Sequence, residues 1–111
     1  MAASVNTSGS QTTTIAVEHT LATITAAGTY QLVVDLAAML GGTTPDIVRI
    51  YVYGKARSAD TERIEEVYSF VGVQAKPLWR SPPVWSPHSI RFTLNQEQGT
   101  SRALPWAVYQ P

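Results

Sequence analysis

Two histidines, eight carboxylates and a scatter of serines are the residues in this 111-residue chain whose types suit chemistry. Metal binding needs such donors at short spacing on one face. His19 and His88 stand far apart, and the neighbour of His19, Glu18, points to the opposite face of an extended strand. Hydrolysis by paired carboxylates needs two acids converging on one cleft. Glu62 and Glu66 share strand parity with Glu65 opposite, all beside a polar turn, where charge solubilises an exposed strand. Ser58, Ser69, Ser81, Ser86, Ser89 and Ser101 all lie outside any Gly-x-Ser-x-Gly elbow. Gly41-Gly42-Thr43-Thr44 lacks the lysine and the following helix of a phosphate loop. With no cysteine there is no thiolate site, disulfide or sulfur nucleophile. These spacings predict a protein that binds and does not catalyse, with no metal and no cofactor.

The residues best suited to binding lie in Trp79-Arg80-Ser81-Pro82-Pro83-Val84-Trp85-Ser86-Pro87. Proline stiffens the tract, and Trp and Arg are the types that dominate interface hot spots. Trp79, Arg80, Pro82, Pro83 and Trp85 are therefore candidate partner contacts. Ile15 and Val17, apolar residues of one parity where the polar N-terminal segment ends, join them. Two other readings stand beside this one. The tryptophans fold back to plug the open end of the domain, or they form a stacking platform for a glycan.

The elements that position these residues read as strands. Residues Met1 to Thr14 are Ser, Thr, Asn, Gln and Ala with one Gly, a composition that buries no core. They read as a disordered tail, or as an extended arm that orders against a neighbouring subunit, outside a single domain over residues 15–111. Ile15, Val17 and Leu21 open a first strand, and Ala26-Ala27-Gly28 turns it. Tyr30, Leu32, Val34 and Leu36 alternate with Gln31, Val33 and Asp35, the period of a half-buried strand. Leu36–Leu40 has the makings of one helical turn, stopped by Gly41-Gly42. Ile47–Tyr53, rich in β-branched and aromatic residues, pairs as a long hairpin with Arg63–Val73. Four prolines make Lys76–His88 an irregular connection. Ser89–Asn95 and Ala103–Tyr109 close the chain, with Pro105 marking an edge or a bulge. The pattern predicts an all-β fold, an antiparallel β-sandwich or small barrel of about six to seven strands with an extended N-terminal arm.

Composition narrows the partners. Charged residues make up 14% of the chain, against a usual quarter, while the hydrophobic share of 44% is ordinary. Such a surface suits packing against neighbours. The 8 basic residues balance 8 acids and are scattered, which argues against nucleic acid, since that partner rewards concentrated positive charge. Met1–Asn6 lacks the basic start and apolar core of a signal peptide. No apolar run approaches a membrane-spanning length, so no membrane partner is expected.

Three stretches taken in order carry a resemblance: Thr23-Ile24-Thr25-Ala26-Ala27-Gly28-Thr29-Tyr30, Trp79-Arg80-Ser81-Pro82-Pro83-Val84, and Gln98-Gly99-Thr100-Ser101-Arg102-Ala103-Leu104-Pro105-Trp106. From about Thr20 onward the chain resembles small virion proteins of tailed bacteriophages. The resemblance implies a structural virion component, best matched by a capsid decoration (cement) protein. Such a protein is made in the host cytoplasm and sits on the capsid surface as a homo-oligomer, with a trimer favoured. Its partners are the major capsid protein or other virion proteins. Head–tail connector, tail and fibre-base roles fall within the same class. These motifs encode structure, so the resemblance carries no catalytic residue.

Overall fold

Alternation along the chain decides which face of each strand is buried. The structure, a computed structural model, describes residues 4–110. Nine strands are formed among the described residues: β1 (Ser4–Thr12), β2 (Glu18–Ile24), β3 (Gly28–Asp35), β4 (Ile47–Gly54), β5 (Arg63–Val71), β6 (Leu78–Arg80), β7 (Val84–Ser86), β8 (Ile90–Gln98) and β9 (Ala103–Gln110). They make two antiparallel sheets that pack as a sandwich. The first has the order β1-β9-β3-β6, with the short β7 also on β3; the second runs β2-β8-β4-β5.

The core lies between the sheets. Tyr30, Leu32 and Val34 of β3 face it with Leu104 and Val108 of β9. Val48, Ile50 and Val52 of β4 and Ile90, Phe92 and Leu94 of β8 meet them from the other sheet. Each of these side chains is at most 1% exposed, which at roughly 25 cal/mol per Å² of apolar surface makes this layer the main stabilising element. Leu36 and Met39 cap one end, where Met39 N donates to Leu36 O at 3.1 Å. The helical turn read at Leu36–Leu40 is thus one hydrogen-bonded turn. The loop between β4 and β5 is closed by Arg57, whose guanidinium meets the Asp60 carboxylate at 2.9 Å.

The sandwich, the antiparallel pairing and the β4–β5 hairpin match the reading of the sequence; the strand count does not. The described residues form nine strands where the sequence predicts six to seven, because segments that bury little also join the ladders. Ser4–Thr12, read as tail or arm, is extended but pairs with β9 of its own chain, from Ser4 opposite Gln110 to Thr12 opposite Ala103. Residues Met1 to Ala3 of that arm lie outside the described residues. The irregular Lys76–His88 connection contains β6 and β7, each three residues long and each laid against β3. Ile15 and Val17 do not begin a strand: residues 15 and 16 form a turn, with Ala16 at a φ of 66°. Pro105 lies in a strand flanked on both sides, one residue past the last β3–β9 rung at Trp106. There β9 has only β1 beside it, so a missing N–H is tolerated as at an edge.

Candidate functional site

The proline-stiffened tract splits its two tryptophans between opposite faces. Trp79 lies on β6 opposite Val34, an inward position, and Trp85 lies on β7 opposite Thr29, an outward one. The Trp79 ring packs on Tyr68 at 4.8 Å and on Phe70 at 5.4 Å between centroids. Tyr68 and Phe70 belong to β5, the edge of the other sheet, so Trp79 closes the seam between the two sheet edges. Burial pushes the Tyr68 hydroxyl pKa up, and the nearby Glu66 carboxylate adds to this. Trp85 is 68% exposed. Trp79 is therefore packed inward, as the plug reading has it, while Trp85 stands free of the core with its ring open to solvent. A stacking platform made of both rings is not formed.

Around Trp85 extends the outer face of the β1-β9-β3-β6 sheet. Register places Val5, Ala107, Pro105 and Tyr109 on it with Val33, Leu78 and Arg80. Val5 is 55% and Leu78 is 52% exposed. Val33, Asp35, Leu78, Pro105, Trp106, Ala107 and Tyr109 line a shallow depression of about 260 Å³. Asp35 and Arg80 are the charges that register places on this face among the described residues. Arg80, Pro82 and Pro83 are exposed near its margin, whereas Ser81 is buried, its Oγ accepting from Leu32 N at 3.0 Å and donating to Pro82 O at 2.9 Å. That serine anchors the tract to β3. Ile15 and Val17 are exposed in the turn after β1, at the other end of the molecule's first sheet edge. The seven candidates thus do not share one site: four present themselves near the Trp85 face, Trp79 is internal, and Ile15 and Val17 lie elsewhere.

The outer face of the other sheet is polar and internally paired. Glu18 Oε2 accepts from Tyr53 OH at 2.7 Å and from Thr93 Oγ1 at 2.6 Å. Arg91 stacks 4.2 Å over the Tyr53 ring and bridges to Glu62 at 2.6 Å. The hydrogen bond that Arg91 donates to the Glu62 carboxylate, outweighing desolvation, raises the Arg91 pKa; burial and the Glu18 carboxylate raise that of Tyr53. On β5, Val67 opposite Tyr51 and Val71 opposite Ile47 are 47% and 57% exposed.

A third cluster, invisible as a sequence motif, ties loops together. Asp46, buried after Pro45, accepts from Leu40 N at 2.8 Å, Thr100 N at 3.0 Å and Arg102 Nε at 2.7 Å. Gln96 donates to Asp46 Oδ1 at 3.3 Å and to Thr100 O at 2.7 Å. Thr13 donates to Gln96 Oε1 and accepts from Arg102 N at 2.8 Å, and Ser101 Oγ donates to Thr13 O. Burial alone would raise the Asp46 pKa. The Leu40 amide, Arg102 and the Thr100 amide overcome it, so the carboxyl stays below its ordinary 3.8. This arrangement spends its charge on holding loops, with no face turned to a ligand.

The carboxylates and histidines are likewise dispersed: His88 lines a shallow hollow with Lys55 and Pro87, while the Thr14 amide donates to His19 Nε2 at 3.2 Å. Among the described residues no group of three or more His, Asp or Glu side chains is placed to hold a metal ion. Nor is any helix there long and apolar enough to cross a membrane. What the surface offers is contact area: a sparsely charged, part-apolar sheet face and long sheet edges. No family model, curated protein or solved structure matches the chain.

Proposed function

We propose that this chain is a structural virion protein of a tailed bacteriophage that binds the major capsid shell and stabilises it as a decoration protein. The observation that carries the reading is the Trp85 face. A broad, sparsely charged sheet surface with exposed Val5, Leu78 and Trp85 supplies the desolvatable area that a permanent neighbour requires. The sequence resemblance supplies the kind of neighbour. Contacts that exist only in the assembled shell stabilise it by mass action. The protein then works by occupying a surface in fixed stoichiometry, and the connector, tail and fibre-base roles use the same face on a different virion partner.

The test is particle binding. Purified chain added to undecorated capsids is expected to saturate at a fixed copy number and to raise their disruption temperature. Trp85→Ala is expected to weaken binding at least tenfold, as truncation of a buried hot-spot aromatic does, with the fold unchanged. Absence of the chain from purified virions overturns the reading. Retention of Trp85-dependent binding on a glycan array, with none on capsids, would assign the face to a sugar instead.

A further inference from the structure

The strand β1 differs from the other edges in a way that bears on a partner. An open edge strand offers unpaired N–H and C=O groups to any passing chain, and proteins blunt such edges with charge, proline, bulges or brevity. β2 carries Glu18 and a bulge at Thr20/Ala22, and β5 carries Arg63, Glu65, Glu66 and a bulge. β6 and β7 are three residues long among four prolines. β1 spans nine residues without a charged side chain or a proline, and its one bulge, between Val5 and Thr7, leaves residues 7–12 in unbroken register; the sequence from Met1 to Val17 holds no Asp, Glu, Lys or Arg.

β1 is also loosely owned. The buried core cluster draws on β2, β3, β4, β8 and β9, and β1 supplies none of the residues in it. Its side chains are exposed from Val5 onward except the half-buried Thr7 and Gln11. It is held by its ladder to β9 and by Thr13, whose hydroxyl is seated between Gln96 and Arg102. Between that anchor and β2 runs the tight turn Thr14–Val17. Ala16 there has a φ of 66°, a left-handed conformation that is strained for an L-residue with a side chain. A short connection under strain is what favours exchange of the element it tethers.

We propose that residues 4–13 form an exchangeable strand that leaves its own sandwich and docks on β9 of a second copy of this chain. Thr14–Val17 is the hinge. The docked strand regains each rung to β9 and the Thr13 anchor, now across the interface. Opening gives up the Val17 N to Thr14 O bond at 3.0 Å, the Ala16 N to Gln96 O bond at 2.8 Å and the Thr14 amide's bond to His19. It releases Ala16 into extended backbone. The exchange is independent of the virion reading, since a closed chain can coat a shell and a swapped one can act elsewhere.

The chain lacks cysteine, so a cross-link can report which β9 each β1 occupies. Ser8 and Ala107 are directly paired on the outer face. The double variant Ser8→Cys, Ala107→Cys is concentrated, oxidised, then denatured without reductant. Covalent dimers or larger closed species are expected; recovery of monomers carrying an internal link overturns the proposal. A second measurement stands if the pair does not oxidise. Sedimentation of the wild-type chain is expected to show a slowly exchanging oligomer, and Ala16→Gly, by removing the hinge strain, to favour the monomer about fivefold per chain. A wild-type chain that is monomeric at every concentration, or an oligomer indifferent to Ala16→Gly, also overturns it.

Discussion

Asp46 is the residue on which the most contacts converge, and its removal is the sharpest test of the architecture. Replacing it by Asn sets a donor against the Arg102 guanidinium and breaks a buried ion pair whose acid is 2% exposed. We expect Asp46→Asn to cost about 3 kcal/mol in urea denaturation at neutral pH. The pH dependence follows in sign. The folded-state pKa is depressed, so the stabilisation is complete above the ordinary value of 3.8 and is lost as pH falls through the lower folded-state value. The gap between wild type and variant should close over that acid range. Gly99 belongs to the same cluster. Its φ of 102° and a Cβ that would sit 2.8 Å from the Asp46 Cα make Gly99→Ala costly, by about 3 kcal/mol or more. Gly54→Ala would meet only the mobile end of Glu65 and should cost about 1 kcal/mol or less by the same measurement. None of this was legible in the sequence. Thr13, Asp46, Gln96, Thr100 and Arg102 come together only through the fold, and a lone Asp after a proline reads as loop chemistry.

At the scale of elements, the two tryptophans separate stability from contact. Trp79→Ala opens the seam against Tyr68 and Phe70 and should cost about 3 kcal/mol, near the lower end for a buried aromatic because Trp79 is half-buried. Trp85→Ala should change stability by less than about 0.5 kcal/mol, since nothing of the core rests on it. Paired thermal melts distinguish the two. The strands with strong alternation, β3, β4 and β8, were readable because one face of each meets the core. β1 was not, because its Ser, Thr and Gln carry no apolar period and its position is set by a non-local ladder. β6 and β7 hid behind prolines for a similar reason: three residues against β3 need no donor beyond the rungs they make. Ile15 and Val17 have the spacing of a strand's apolar face, but an apolar pair cannot signal the left-handed turn that the chain makes at Ala16.

For the molecule as a whole, charge balance governs its behaviour in solution. Equal numbers of acids and bases and a pI near 6.7 leave little net repulsion between copies at neutral pH. Light scattering of the purified chain should peak near that pH and fall on either side, and a flat profile would show that charge has no part in its association. The fold class, antiparallel pairing and single layered core were visible from residue patterns. The outer-face geometry was not, because which residues share it depends on the order β1-β9-β3-β6, and four of its strands are remote from one another in sequence.

The pairing of Ser4 with Gln110 has a mechanical consequence. The first and last described residues leave the sandwich side by side, so a force that draws them apart loads the β1–β9 ladder at one end. Its hydrogen bonds then break in succession, as a zip opens, and never bear the load together. A chain tethered through both ends would yield early at β1, while the layered core, outside the line of force, stays folded.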